Sequence, residues 1–422
     1  MRKLWGLLAV VGGAGVLFLA SMALWIWVTI PSEPDPNALA SSVLEPPVAA
    51  YRDAVEEGQR VARSLVAKEK LPGLSLAVAV DGTIVWAEGI GWVDVESQTQ
   101  VTPATVFRIG GVSQALTAAA VGLLSERGRL ALDAPVQRYL PSFPEKEWPI
   151  STRQLMSHTA GIRRLAGEEE IFRKAHCSED AERLAIFADA PLRFRPGTDY
   201  LYSPYGWALV GAVVAASAHE PYLDFMKREI FTPLGMESTK PDVAMRAGSG
   251  SSHFYYPRLM LQPRYGLEDA PEVDLSCILP AAGFMSTPSD LVRFGSAMMG
   301  DTLLAPAIVE ELHTPVQLAS GESTEQALGW IVRSPLGANG KPTQIVGQGL
   351  ENPVRRSRTG AASVGGRVPG ETTTLMIVPQ YRMAIAVATN VSGAENVSLL
   401  TTRLADIFIR YLDGAGLKKL SK

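Results

Sequence analysis

The sequence predicts an α+β domain: one sheet built from strands at distant points of the chain, with an α-rich subdomain inserted between them. Two strand signals stand near the start of the globular part, between Leu74 and Ala87. Strand patterning returns only after about residue 325, whereas the stretch from about 130 to 320 is mainly helical with long loops. With 422 residues, 47% hydrophobic and 19% charged, and no low-complexity tract or repeat, the chain has the length and composition for a large core, in one domain or two interleaved ones.

Each element has a local reason. Residues 50–68 form an amphipathic helix in which Val55, Ala62 and Leu65 recur among charged neighbours. Leu74 to Val80 and Thr83 to Ala87 are strands joined by a tight Asp81-Gly82 turn. A helix opening near Gly111 carries apolar positions at Leu116, Ala120, Leu123 and Leu124, and Gly128 stops it. Ser151-Thr152 starts a second helix, and Thr287-Pro288-Ser289-Asp290 starts another with an N-cap, a proline at the first position and an acid at the third. Ala327 to Arg333 reads as a strand, and Thr373 to Val378 with Met383 to Thr389 reads as a hairpin around Pro379-Gln380. A last helix from about Glu395 to Leu412 buries Leu399, Leu400, Leu404, Ile407 and Phe408.

The N-terminus implies a membrane. After Arg2 and Lys3, an uncharged and mostly apolar run extends from Leu4 to Ile30. A signal-peptide core is typically ~7–15 residues, whereas a spanning helix needs about 20. Ser21-Met22-Ala23 offers small residues for cleavage, but Leu24-Trp25-Ile26-Trp27-Val28 continues straight after it. The two tryptophans suit an interfacial belt and the basic N-terminus suits the cytoplasmic side. The expectation is a single-pass signal anchor with the domain on the extracytoplasmic side; a cleaved signal peptide is the alternative. The chain then divides into an anchor (1–30), a Pro-rich linker (31–49) whose Pro31 to Pro36 segment is a stiff spacer, the main domain (50–415) and a tail (416–422).

Several chemistries find no support. The net charge is −4 and the basic residues are dispersed, which leaves no nucleic-acid footprint. His158, His176, His219, His253 and His313 are scattered without metal-ligand spacing, so neither a metal site nor a cofactor is implied. No Gly-x-Ser-x-Gly elbow or P-loop lysine occurs. Cys177 and Cys277 could pair in an oxidising compartment, but sequence does not show that their Cα atoms approach, and they are expected to be ordinary buried thiols.

Five stretches in order carry a resemblance: Phe107-Arg-Ile-Gly110, Leu155-Met-Ser-His-Thr-Ala-Gly-Ile162, Phe194-Arg-Pro-Gly197, Tyr202-Ser-Pro-Tyr-Gly206 and Ala282 to Leu291. Together they resemble the serine beta-lactamase and penicillin-binding-protein superfamily over about residues 60–412, in its class C beta-lactamase-related branch. That branch takes in the mitochondrial beta-lactamase-like protein and similar bacterial serine hydrolases. The resemblance implies a beta-lactamase/transpeptidase-like fold, with an antiparallel sheet flanked by helices. It also implies three active-site motifs.

The first motif is Ser-x-x-Lys at the start of a helix, where the serine is the nucleophile and the lysine tunes it. Residues three apart share a helix face, so the amine sits beside the hydroxyl. In that register this chain holds Gly111, Val112, Ser113 and Gln114. Glycine has no side chain to attack with, and a neutral amide is no base. Ser113 is the nearest hydroxyl, but it lies two positions on, rotated by roughly 200° around the helix. Leu116 stands at its lysine offset, so it lacks an activating partner.

The second motif, Tyr-x-Asn, has a proton-shuttling tyrosine; Tyr202-Ser203-Pro204 matches at the tyrosine and departs at the third position. The third is Lys-Thr-Gly or His-Thr-Gly on a pocket-lining strand, for which Arg358-Thr359-Gly360 is the candidate. Its arginine would hold a substrate carboxylate. By resemblance, the backbone N–H groups of Gly111 and Ala361 form the oxyanion hole, and His158 is structural in its turn.

The expectation is therefore a membrane-anchored member of this superfamily that has lost covalent acyl transfer and binds a small-molecule or peptide ligand with a carboxylate. An active serine hydrolase (esterase, amidase or peptidase) using a displaced serine is the alternative. A self-assembling scaffold is a third reading, suggested by the filament-forming mitochondrial relative; the sequence leaves the oligomeric state open.

Overall fold

Strands from the two ends of the chain meet at the centre of one antiparallel sheet in the computed structural model. It describes residues 33–44, 48–165, 176–242, 252–258, 262–334, 343–349, 368–394 and 396–414, together with the isolated positions 15, 20 and 21. The strands are β1 (Ser41–Val43), β2 (Gly73–Val80), β3 (Thr83–Asp94), β4 (Thr99–Gln100), β5 (Ile331–Arg333), β6 (Ile345–Gln348), β7 (Thr372–Val378) and β8 (Met383–Thr389). Their spatial order is β1-β3-β2-β8-β7-β6-β5, with β4 paired onto β3. At the central junction β2 and β8 run in unbroken register from Leu74↔Thr389 to Val80↔Met383.

Alternation along the strands sorts the core into two layers. Leu74, Leu76, Val78 and Val80 face one side with Met376, Met383, Ile385 and Val387, and there they meet the helices α1 (Arg52–Glu69) and, at the far end of the chain, Asn396–Gly414. Ala77, Ala79, Leu375, Ile377, Ala384 and Ala386 face the other side and join the larger core of the inserted helices. The principal inserted helices are α2 (Val112–Glu126), α3 (Pro204–Ala218) and α4 (Pro288–Ala297), and the C-terminal Asn396–Gly414 becomes α5. Two helix starts follow the cap chemistry read from sequence. Ser151 and Gln154 form a reciprocal capping box, and the Thr287 hydroxyl accepts from the Asp290 N–H with Pro288 leading the helix.

Four expectations change. The strand expected from Ala327 begins only at Ile331, because Gly329 (φ +85) turns the chain and the Ala327 N–H closes back on the Trp330 carbonyl. Leu399 is 52% exposed rather than part of the buried stripe of α5, whose inner face runs through Val397, Leu400, Leu404 and Phe408. The linker is not a free spacer throughout: Ser41–Val43 pairs with β3, and the Arg63 guanidinium ties Leu39 O and Ser41 Oγ to the buried Glu88 carboxylate. Cys177 and Cys277 are not separate thiols but a disulfide, with Cα atoms 5.0 Å apart. The bridge joins chain points that are distant in sequence and brought together by the fold, which is why spacing alone gave no sign of it.

Among the described residues no helix is long and apolar enough to cross a membrane; the Leu4–Ile30 run lies outside them apart from three isolated positions.

Candidate functional site

The site is assembled around the start of α2. Phe107-Arg108 forms a short antiparallel pair with Phe284–Ser286, which delivers the chain to Gly110-Gly111. Gly110 has φ +44, and a Cβ there would lie 2.1 Å from Glu371 Oε1, so both backbone and space require glycine. Gly111 is different. It caps α2 in ordinary right-handed geometry (φ −58, ψ −18), and the nearest atom to a Cβ built there is Gln348 Oε1 at 3.9 Å.

One turn into the helix, Gln114 is held from both sides. Its amide Nε2 donates to the Tyr202 hydroxyl at 2.9 Å. Its Oε1 lies 3.2 Å from His158 Nε2. The Ser203 N–H donates to His158 Nδ1 at 3.1 Å, which assigns the ring hydrogen to Nε2 and makes Gln114 its acceptor. Complete burial lowers the His158 pKa to about 3, so the imidazole is neutral at physiological pH. Burial also pushes the half-buried Tyr202 hydroxyl up to about 12, with the Gln114 hydrogen bond opposing and the Glu371 charge reinforcing. The imidazole packs on the phenol at 4.5 Å between ring centres. This triple of Gln114, His158 and Tyr202 holds no group that takes up a proton near neutrality.

Proline at 204 has a structural reason. Ser203 is the N-cap of α3, its hydroxyl accepting from the Gly206 N–H at 3.1 Å, and Pro204 is the first helical residue. Ser113 is fully buried, and its Oγ accepts from the Phe284 N–H at 3.3 Å. That contact commits it to the short Phe107/Phe284 sheet, away from Gln114 and Tyr202.

Two residues that sequence reading passed over reach the site. Gln348 ends β6, donates its Nε2 to the Gly329 carbonyl, and so turns its Oε1 towards Gly111. Glu371 immediately precedes β7 and is 8% exposed. A buried scaffold seats it: Arg108 pairs with Asp242 at 2.7 Å, donates to Pro369 O at 2.8 Å, and its own carbonyl accepts from Thr373 Oγ1 at 2.8 Å. Burial raises the Asp242 carboxyl, and the Arg108 charge opposes the rise. The only sign of Gln348 in sequence is a short apolar run ending in Gly349, and Glu371 looked like any isolated acid. Arg358, Thr359, Gly360 and Ala361 lie outside the described residues. The described strand that ends beside Gly111 is β6, whose last residue is Gln348. Among the described residues no cluster of three or more His, Cys, Asp or Glu side chains could hold a metal ion.

The beta-lactamase family model matches residues 59–407. The chain belongs to the beta-lactamase family. This beta-lactamase-related, penicillin-binding-protein-like domain is 28% identical over 428 residues to the mitochondrial serine beta-lactamase-like protein LACTB of Mus musculus, covering 79% of this chain and 74% of the relative. It is 31% identical to the Bos taurus protein of the same name over 54% of this chain, and spans about half (53%) of that relative's length. The octameric penicillin-binding protein homologue from Pyrococcus abyssi shares the fold, with a TM-score of 0.68 at 20% identity over 84% of this chain and 77% of the other. The family's serine hydrolase scaffold is therefore present, and its central helix begins with two glycines.

Proposed function

We propose that this beta-lactamase-family protein binds its ligand without acylation. The observation that carries the reading is the pairing of a side-chain-free Gly111 with a Gln114 amide held at both ends by neutral partners, His158 and Tyr202. In the Ser-x-x-Lys register these positions would supply the nucleophile and its activating amine, and neither residue type can do so. Ser113 is no substitute, since its Oγ is engaged with the Phe284 amide. The ligand is a small molecule or peptide with a carboxylate, which Arg358 would meet. The Leu4–Ile30 run and the Cys177–Cys277 disulfide both suit a domain anchored to a membrane and displayed in an oxidising compartment.

Incubation of the protein with a fluorescent penicillin and with a serine-reactive activated ester, followed by intact-mass measurement, tests the reading. Unmodified mass is the expected result; a stoichiometric adduct on any pocket serine refutes it. Gly111→Ser with Gln114→Lys is expected to gain esterase activity, since a side chain at 111 meets nothing closer than 3.9 Å.

A further inference from the structure

We propose that the β1 edge of the domain rests on the membrane surface, with Val43, Leu44 and Val48 as its apolar contact. The partner is the lipid bilayer itself. The proposal rests on the reading of Leu4–Ile30 as a membrane anchor, and it adds which face of the domain that anchor holds against the lipid.

Three observations carry it. Five large apolar side chains are exposed among the described residues, and three of them, Val43, Leu44 and Val48, fall within six positions of sequence. Exposed apolar residues scattered singly are ordinary, whereas a cluster marks a contact surface. Val48 lies four residues beyond Leu44, which bounds their separation at about 14 Å. The patch is fixed to the body of the domain: β1 pairs with β3, the Leu44 N–H donates to the Ala87 carbonyl at 3.3 Å, and the Tyr411 hydroxyl donates to the Ala50 carbonyl. The tether is short. Pro36–Ala38 is a 3-10 turn and the Arg63 guanidinium holds the Leu39 carbonyl, so the chain from Ile30 to that pin reaches at most about 26 Å. The opposite edge of the sheet, β5, stands about 29 Å from β1 across its strand spacings, beyond that reach. The β1 edge is therefore the one turned to the bilayer, and apolar side chains presented there enter the headgroup boundary. Exposed Glu33 and Asp35 lead into the patch, so the contact is apolar and not a basic one that needs anionic lipid.

The test uses the full chain in phosphatidylcholine vesicles whose acyl chains carry a nitroxide near the headgroup. A bimane label is placed at Val48→Cys and, separately, at Ser320→Cys, an exposed position on the segment that joins β5 through the Gln326↔Ile331 bridge. The label at 48 is expected to lose most of its emission to the nitroxide, and the label at 320 to keep its own. Leu44→Glu, which puts a charge on the patch and leaves the anchor intact, should restore the emission at 48. Equal emission from the two labels, or quenching at 48 that Leu44→Glu does not relieve, overturns the proposal. So does an unquenched label at 48 together with a crosslinked dimer, which gives the patch to a second copy pairing on the β1 edge. If Leu44→Glu does not fold, the two labels alone decide. A carbonate wash of the vesicles separates the two ideas: a chain stripped from the lipid refutes the anchor, whereas a retained chain with an unquenched label at 48 refutes only the docking.

Discussion

Neighbouring glycines at the head of α2 should respond in opposite ways to the same substitution. Gly110→Ala places a methyl group 2.1 Å from Glu371 Oε1, far inside the ordinary contact distance, at a residue with φ +44. The left-handed backbone costs an L-residue roughly 1–2 kcal/mol. Displacing a packed, buried side chain adds about 1–3 kcal/mol, as overpacking does. The expected loss is therefore about 2–5 kcal/mol. Gly111→Ala meets no atom within 3.9 Å and sits at φ −58. Its effect is expected between zero and a gain of about 1 kcal/mol from the reduced freedom of the unfolded chain. Urea denaturation followed by tryptophan fluorescence reads both, and Glu371→Ala in the Gly110→Ala background should recover the steric part and leave the backbone part. Equal destabilisation by the two alanines, or no rescue by Glu371→Ala, would show that the carboxylate and the space beside Gly111 are not arranged as described.

Acid should destabilise the fold. Burial lowers His158 to about 3 and His313 to about 4 from an ordinary 6.5. Both are neutral when folded, so their contribution is complete above pH 6.5 and is lost as the unfolded chain takes up protons below it. The loss is about 1.4 kcal/mol per pH unit for each ring. Urea midpoints should thus fall between pH 7 and 5.5 by about 2–3 kcal/mol of stability, and His313→Phe should halve the slope. Reducing the Cys177–Cys277 bridge releases a loop of 100 residues and should cost about 2–5 kcal/mol, seen as a lower melting temperature with reductant that is absent in Cys177→Ser/Cys277→Ser. Arg108→Met strands the buried Asp242 carboxylate and should cost about 3–5 kcal/mol, most of it recovered by adding Asp242→Leu in thermal melts.

The elements that sequence reading located best were those whose evidence is local. The Asp81-Gly82 hairpin, the Ser151 and Thr287 caps and the Thr372–Val378/Met383–Thr389 hairpin follow from turn chemistry and alternation within a dozen residues. Gln114 and Tyr202, read from two separate contiguous motifs, do meet in the fold. What escaped depends on contacts across the chain. The disulfide, the docking of β1 on β3 and the seating of Glu371 by the Arg108 scaffold each join residues brought together only by the finished fold. Gln348 escaped for a further reason: a glutamine ending a short apolar run resembles no motif, and only the fold brings it beside Gly111. Pro204 looked like a lost asparagine, yet it also opens α3 behind its Ser203 cap.

The seam between β2 and β8 constrains how such a molecule can be made. Thr389 Oγ1 hydrogen-bonds the Gly73 carbonyl across a separation of 316 residues, and every rung of that seam waits for the last strand to be synthesised. Until then the β2–β3 hairpin exists with one long apolar edge unpaired, which is the condition under which nascent strands find wrong partners. Pairing as non-local as this is expected to form late and slowly. Truncations that stop short of Met383 should then yield insoluble hairpins instead of smaller domains, and biosynthesis should depend on holding the early strands apart until Met383–Thr389 has emerged.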